Sequence, residues 1–270
     1  MVRSARRLSA TIGRMRLTVL GSGSSAPHPT RTSSGYWLDT GKGSILLDCP
    51  PSIISRLGAE RPDWPSLDAI WISHFHLDHV GGLAPLLFGM KHAPEMSRRA
   101  SALTIFGPAG LRRLIDAMDA AGNYRLLKQH FPVNIVEAAP LEHFEILPGV
   151  KAVAAKTPHT KESLAIHIDN GERTIAFTSD TGFDEALAAM AAGVDLFILE
   201  CSFFKDKPLD THLELREAMF LIRKAKPRLA MLTHFFSDWD AVDIAEEIRS
   251  LDPPCNVIEA KDGASITLDQ

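Results

Sequence analysis

The chain has 270 residues, 45% of them hydrophobic, and a formal net charge of −4, with mean hydropathy close to zero. It is long enough to bury a sizeable core, has no apolar run long enough to cross a bilayer, and lacks the overall basic footprint of a nucleic-acid binder. Three scattered cysteines, Cys49, Cys201 and Cys255, form no C-x-x-C pair, which argues against a thiolate zinc site or a disulfide framework and fits a reducing cytoplasm.

Residues 1–14 are arginine-rich, lack the apolar core of a signal peptide, and read as a disordered or weakly ordered extension. Met15 opens the first strand of a single domain expected over 15–270. Strand-like runs lie near 16–20, 35–40 and 44–48, with a helical pattern near 50–57. The apolar, β-rich run 67–73 reads as a buried strand. It leads into His74-Phe-His76-Leu-Asp78-His79, a loop at a strand end, where sites are commonly mounted on a rigid scaffold. Buried His and Asp are costly unless paired or ligated, and His is the commonest metal ligand. The spacing lets one metal take His74 and His76 and a second take Asp78 and His79. Gly81-Gly82 and an apolar segment to Met90 suggest a short helix, and 91–99 a flap beside the cluster.

Two ligands per metal are too few, since zinc takes about four, so further donors are expected downstream. Strand-like runs recur near 103–106, 133–137, 150–155, 164–169, 173–177, 195–199, 228–232 and 264–268, with helical patterns near 108–121, 183–192, 211–225 and 239–249. Three runs end in the same way, with a small hydroxyl residue and then a ligand type: His159 in Thr-Pro-His, Asp180 in Thr-Ser-Asp, and His234 in Leu-Thr-His. The alternation of strands and helices indicates sheets covered by helices, an α/β (α+β) class; periodicity alone does not specify more.

The order HxHxDH, lone His159, Ser179-Asp-Thr181 and Leu232-Thr-His234 resembles the metallo-β-lactamase fold superfamily, and more finely its ribonuclease Z-like phosphodiesterase branch. Gly21-Ser-Gly-Ser-Ser-Ala-Pro27, Ile45-Leu-Leu-Asp48 and Leu103-Thr-Ile-Phe-Gly-Pro-Ala-Gly110 carry the finer match. The resemblance implies a four-layer αββα sandwich of two mixed sheets. It assigns His74, His76 and His159 to one metal, Asp78, His79 and His234 to another, Asp180 as the bridge, and Asp48 as the carboxylate that orients a ligand imidazole. Imidazole and carboxylate ligands suit two zinc ions, with manganese or iron as alternatives. A homodimer is expected by resemblance only.

The implied chemistry is attack by a metal-bridging hydroxide on a phosphodiester, with Asp78, His212 and Glu200 as catalytic residues. His212 sits before a helical run, in Leu209-Asp-Thr-His-Leu-Glu214, and Glu200 ends a strand. By resemblance they are a general acid and its support. Ribonuclease Z enzymes carry a long tRNA-gripping arm between the residues matching His159 and Asp180. Here that stretch reads as a hairpin turning at Asn170-Gly171, with His167 inside a strand. This points to a small nucleotide or cyclic phosphate as substrate. tRNA 3′ processing, ester, lactone or β-lactam hydrolysis, and a metal sensor without turnover are the alternatives. Phe183, Phe203, Phe204, Phe235, Phe236 and Trp239 are candidate stacking residues. Arg31, Lys91, Arg98 and Arg99 are candidate phosphate contacts.

Overall fold

The structure is a computed structural model and describes residues 14–269. Strands β1 (Met15–Gly21), β2 (Gly35–Asp39), β3 (Ser44–Leu47), β4 (Ala69–Trp71), β5 (Leu103–Gly107) and β6 (Val133–Glu137) lie in the first half of the chain. They are followed by β7 (His143–Leu147), β8 (Val150–Lys156), β9 (Leu164–Asp169), β10 (Thr174–Phe177), β11 (Leu196–Glu200), β12 (Leu229–Thr233), β13 (Asn256–Glu259) and β14 (Ser265–Leu268). The helices are α1 (Ile53–Glu60), α2 (Leu77–Val80), α3 (Leu83–His92), α4 (Leu111–Gly122), α5 (Ala186–Met190), α6 (Leu215–Ala225) and α7 (Ile244–Ser250). Two seven-stranded mixed sheets result, ordered β14-β1-β2-β3-β4-β5-β6 and β13-β12-β11-β10-β9-β8-β7.

Alternation along the strands explains the layering. Ile45, Leu47, Ile166, Ile168, Leu196 and Ile198 meet in the core between the sheets. Their neighbours point the other way: Leu46, Ile70 and Ile105 pack on α1, α3 and α4, and Phe197, Leu199 and Leu232 on α5, α6 and α7. The result is the expected αββα sandwich. Strands β3 to β6 and β10 to β13 pair in parallel, so the residues following β3, β4, β10, β11 and β12 gather at one edge. Irregular loops outside the carboxyl ends of parallel strands are where α/β proteins place their sites.

Several expectations are corrected. Asp78 and His79 belong to the one-turn helix α2, not to a loop. α1 begins at Ile53 because Pro50 and Pro51 precede it. α3 runs to His92, and the segment expected as a flap is a 3-10 turn over Pro94–Arg98. That turn is pinned by buried Met96, whose carbonyl accepts from His130 Nε2. Strands β7 and β13 were not expected. The expected extension over 1–14 lies outside the described residues except at Arg14, whose guanidinium donates to Asp269. No helix among the described residues is long and apolar enough to cross a membrane.

Candidate metal centre

All seven expected ligand residues, together with Asp48, Glu200 and His212, come together at the common strand edge. Three of them or their immediate supports, Asp48 (φ 58°), Ser179 (φ 53°) and His234 (φ 63°), hold left-handed backbone conformations. Such a conformation costs a non-glycine residue on the order of 1–3 kcal/mol and clusters at functional sites. Here it turns the chain sharply at the ends of β3, β10 and β12 and aims the side chains into one space. Close stitching fixes the loops. Cys49 N–H donates to the His79 carbonyl and Gly82 N–H to the Cys49 carbonyl. Gly182 N–H donates to the Pro158 carbonyl, and a Cβ on Gly182 would stand 2.2 Å from the Asp210 carbonyl oxygen.

The ligand atoms fall into two groups that share Asp180. In the first, His74, His76, His159 and Asp180 converge. His159 Nε2 lies 3.0 Å from His76 Nδ1 and 3.6 Å from Asp180 Oδ2, and His74 Nε2 lies 3.8 Å from the same oxygen. In the second, Asp78, His79, Asp180 and His234 converge. Asp180 Oδ1 lies 3.1 Å from His79 Nε2 and 3.3 Å from His234 Nε2, and Asp78 Oδ2 lies 3.4 Å from His79 Nε2. The two oxygens of Asp180 thus face opposite groups.

The protons of the imidazoles are committed elsewhere. His79 Nδ1–H donates to Asp48 Oδ2 at 2.8 Å, and His159 Nδ1–H to the Thr211 carbonyl at 2.9 Å. His74 Nδ1–H meets Ser73 Oγ at 3.0 Å, and His234 Nδ1–H meets Ser202 Oγ at 2.9 Å. With those tautomers set by their partners, the four Nε2 atoms present lone pairs inward. His79 and His234 Nε2 stand only 3.4 Å apart, both turned toward Asp180. Buried His74 Nε2 and Asp180 Oδ1 have no hydrogen-bond partner, although buried polar atoms normally do. A pocket of converging imidazole nitrogens and carboxylate oxygens, two of them buried without a partner, fits cations. Its carboxylates are ionised: burial opposes this, but the surrounding histidines hold Asp180 and Asp78 well below the usual carboxylate range. Burial holds the His74 imidazole well below its ordinary range, so its Nε2 stays free to ligate.

A third set adjoins the groups. Glu200, 1% exposed, accepts at Oε1 from His212 Nδ1 at 2.9 Å and from Thr181 N–H at 2.6 Å. Its Oε2 accepts from Ser202 Oγ at 2.6 Å and Leu213 N–H at 3.0 Å. Burial pushes the His212 imidazole down, but the Glu200 hydrogen bond and charge outweigh it and raise it above the ordinary value. The His212 ring lies 4.8 Å from that of His159 and stacks 5.5 Å from that of His234.

Sequence reasoning missed Ser73, Ser179 and Ser202. Ser73 Oγ–H and Ser179 Oγ–H both reach Asp48 Oδ2, at 2.9 Å and 3.2 Å. The signal was visible as the hydroxyl residue beside each ligand, but its role depends on contacts across the fold. The candidate phosphate contacts fare differently. Arg31 is paired with Asp240 at 2.6 Å, and Lys91 donates to the carbonyls of Tyr124 and Arg125. Arg99 donates to the carbonyls of Pro65, Leu67 and Ala102 and lies over Phe131; Arg98 is exposed. Among the aromatics, Phe235 and Trp239 are core residues, Phe204 packs on Trp239, and Phe183 is exposed against Phe220. Only Phe203 and Phe236 border the site, stacked 5.1 Å apart and each edge-on to His212. His167 is a β9 residue paired between Val153 and Ala176, away from the site.

The sequence profile of the family described as Beta-lactamase superfamily domain matches residues 44–235. The chain is 27% identical over 223 residues to the probable metallo-hydrolase YhfI of Bacillus subtilis, covering 82% of this chain and 86% of that protein. The crystal structure of YhfI superposes with a TM-score of 0.79 at 24% identity, covering 94% of this chain and 99% of YhfI. The ribonuclease Z of Borrelia recurrentis is 22% identical over 307 residues, covering 93% and 96% of the two chains. A diphosphatase from the PhnP family has the same fold, with a TM-score of 0.71 at 22% identity over 93% of this chain and 97% of that one.

Proposed function

The chain belongs to the beta-lactamase superfamily and is a metal-dependent hydrolase, and from that premise we propose that it is a phosphodiesterase acting on a small nucleotide or cyclic phosphate. His74, His76 and His159 would hold one divalent metal, Asp78, His79 and His234 a second, and Asp180 both; imidazole and carboxylate donors without thiolate suit zinc. When bound, such a pair would supply Lewis acidity at phosphorus and lower the pKa of water to about 7. The protein's own groups then do the rest. Asp48 and Ser202 fix the His79 and His234 tautomers, and Ser73 fixes that of His74. His212, with Nδ1–H held by Glu200, delivers the proton on Nε2 to the leaving alkoxide as its P–O bond breaks. Glu200 stabilises the imidazolium before transfer. Reprotonation from solvent resets the pair.

The observation that carries this reading is the buried His212–Glu200 pair, its imidazole edge-on to His159 and stacked on His234. An alkoxide leaving group needs a positioned acid, and an imidazole whose protonated form is favoured by the Glu200 carboxylate meets that need. The tight β9–β10 hairpin supports a small substrate over tRNA, because nothing between His159 and Asp180 extends away from the sandwich. A cytoplasmic location accords with the scattered cysteines. A homodimer accords with the exposed apolar Ile54, Phe88 and Tyr124 on the α1, α3 and α4 side. The test is a substrate panel on metal-loaded protein: bis-p-nitrophenyl phosphate, 2′,3′- and 3′,5′-cyclic nucleotides, a lactone, a β-lactam and precursor tRNA. Turnover of cyclic nucleotides is expected; fast lactone or β-lactam cleavage with inert phosphodiesters would overturn the reading.

A further inference from the structure

Resting on that reading, we propose that Ser202 is a positioning residue that ties the second metal group to the proton donor. Its one hydroxyl sets the His234 tautomer and the Glu200 carboxylate together. Ser202 is fully buried. Its Oγ stands 2.6 Å from Glu200 Oε2, 2.9 Å from His234 Nδ1 and 3.2 Å from His212 Nδ1. A hydroxyl has one proton to give and two lone pairs. The short contact to a carboxylate takes the proton. The imidazole of His234, whose Nε2 faces Asp180, gives its Nδ1 proton to one of the lone pairs. His212 Nδ1–H goes to Glu200 Oε1 at 2.9 Å, the shorter of its two contacts.

Glu200, His212 and His234 are spaced closely enough to take a cation of their own. Ser202 Oγ stands among those three ligand atoms at hydrogen-bonding distance from each, so the arrangement is a hydrogen-bonded hub. The backbone fixes the hub as well: Ser202 N–H donates to Glu200 Oε2 and the Ser202 carbonyl accepts from Phe236 N–H, joining the turns after β11 and β12. On the opposite side of the centre Ser73 has a related place, accepting from His74 and donating to Asp48. What distinguishes Ser202 is that its carboxylate also holds His212. Removing the hydroxyl leaves His234 Nδ1–H without its acceptor and Glu200 Oε2 without its shortest donor, so metal retention and proton delivery should fail together.

The experiment compares wild type, Ser202→Ala, Ser202→Thr and His212→Ala. Zinc affinity is measured for each metal equivalent by competition with a chromophoric chelator, and kcat and KM with a 2′,3′-cyclic nucleotide, whose leaving group is an alkoxide, at saturating zinc. Removing the partner of a ligand imidazole typically weakens metal binding about 10–100-fold. Ser202→Ala is expected to show that loss in one equivalent only. Its kcat should fall at least about 10-fold at saturating zinc with KM near wild type, within the range of acid–base groups. Ser202→Thr should restore both, and His212→Ala should lower kcat alone. If Ser202→Ala does not fold, Ser202→Cys gives the same readouts with a weak donor in place of the hydroxyl. The inference is overturned if affinity and kcat stay within about twofold of wild type, or if only one of them falls. Wild-type protein that holds no zinc takes the proposed function down with it; wild type that holds zinc beside an unaffected variant removes this inference alone.

Discussion

Replacing Asp48 by Asn changes little in shape and much in hydrogen bonding. Asn tolerates the left-handed backbone that Asp48 adopts, and the site is fully buried. Asp48 accepts from Ser73 N–H at Oδ1, and from His79 Nδ1–H, Ser73 Oγ–H and Ser179 Oγ–H at Oδ2. An amide cannot serve both ends. With its nitrogen at the Oδ2 position, two donors face each other at His79 Nδ1, and relief comes by moving the imidazole proton to Nε2. That atom faces Asp180 and Asp78, so a proton there blocks a metal ligand. With the amide reversed, its nitrogen faces Ser73 N–H instead, leaving a buried donor unpaired at about 1–3 kcal/mol. Asp48→Asn should therefore weaken one zinc equivalent about 10–100-fold, or about 1.4–2.8 kcal/mol. It should also destabilise the metal-free protein by about 1–3 kcal/mol. Chelator competition and urea denaturation measure the two. Zinc affinity within twofold of wild type would refute the claim that Asp48 sets the His79 tautomer.

Three further outcomes follow from the same geometry. His212→Ala should lower kcat about 10²–10⁴-fold while metal content, read by inductively coupled plasma spectrometry, stays at wild type; an unchanged rate would remove His212 as the acid. Gly182→Ala should cost about 1–3 kcal/mol by overpacking, because its Cβ meets the Asp210 and Pro158 carbonyl oxygens. It should cut turnover as well, since those loops carry His159, Asp180 and His212; full activity at wild-type stability would contradict the close packing. Burial lowers the His167 imidazole below its ordinary value. The unfolded chain then takes up a proton first as pH falls, and that contribution to stability, present above about pH 6.5, is lost below it. His167→Thr should flatten the fall in urea midpoint between pH 7.5 and 5.5; equal slopes for the two proteins would count against it.

The sandwich was legible in part because its strands are long on apolar residues, and ambiguous for the same reason. Runs such as Ser44–Leu47 and Leu196–Glu200 are buried on both faces, so no alternation marks which side meets the other sheet. β7 and β13 went unseen because they are the edge strands of the second sheet and only partly buried. α2 has a single turn, too short for a helical period, which is why Asp78 and His79 read as loop. The candidate ligands were legible because imidazoles and carboxylates at strand ends have few other uses. The serines were not, because Ser73 and Ser202 acquire their roles from carboxylates on other strands or strand ends. Arg99 looked like a phosphate contact for the converse reason: the distant carbonyls that hold it leave no trace in the local sequence.

The central claim is a dinuclear centre that hydrolyses phosphodiesters. It is tested most directly by adding zinc stepwise to chelator-stripped protein and following hydrolysis of bis-p-nitrophenyl phosphate. The account predicts a rate that climbs until two equivalents are bound and then levels off. Saturation with less than one equivalent, or two tightly bound equivalents with no hydrolysis, would contradict it.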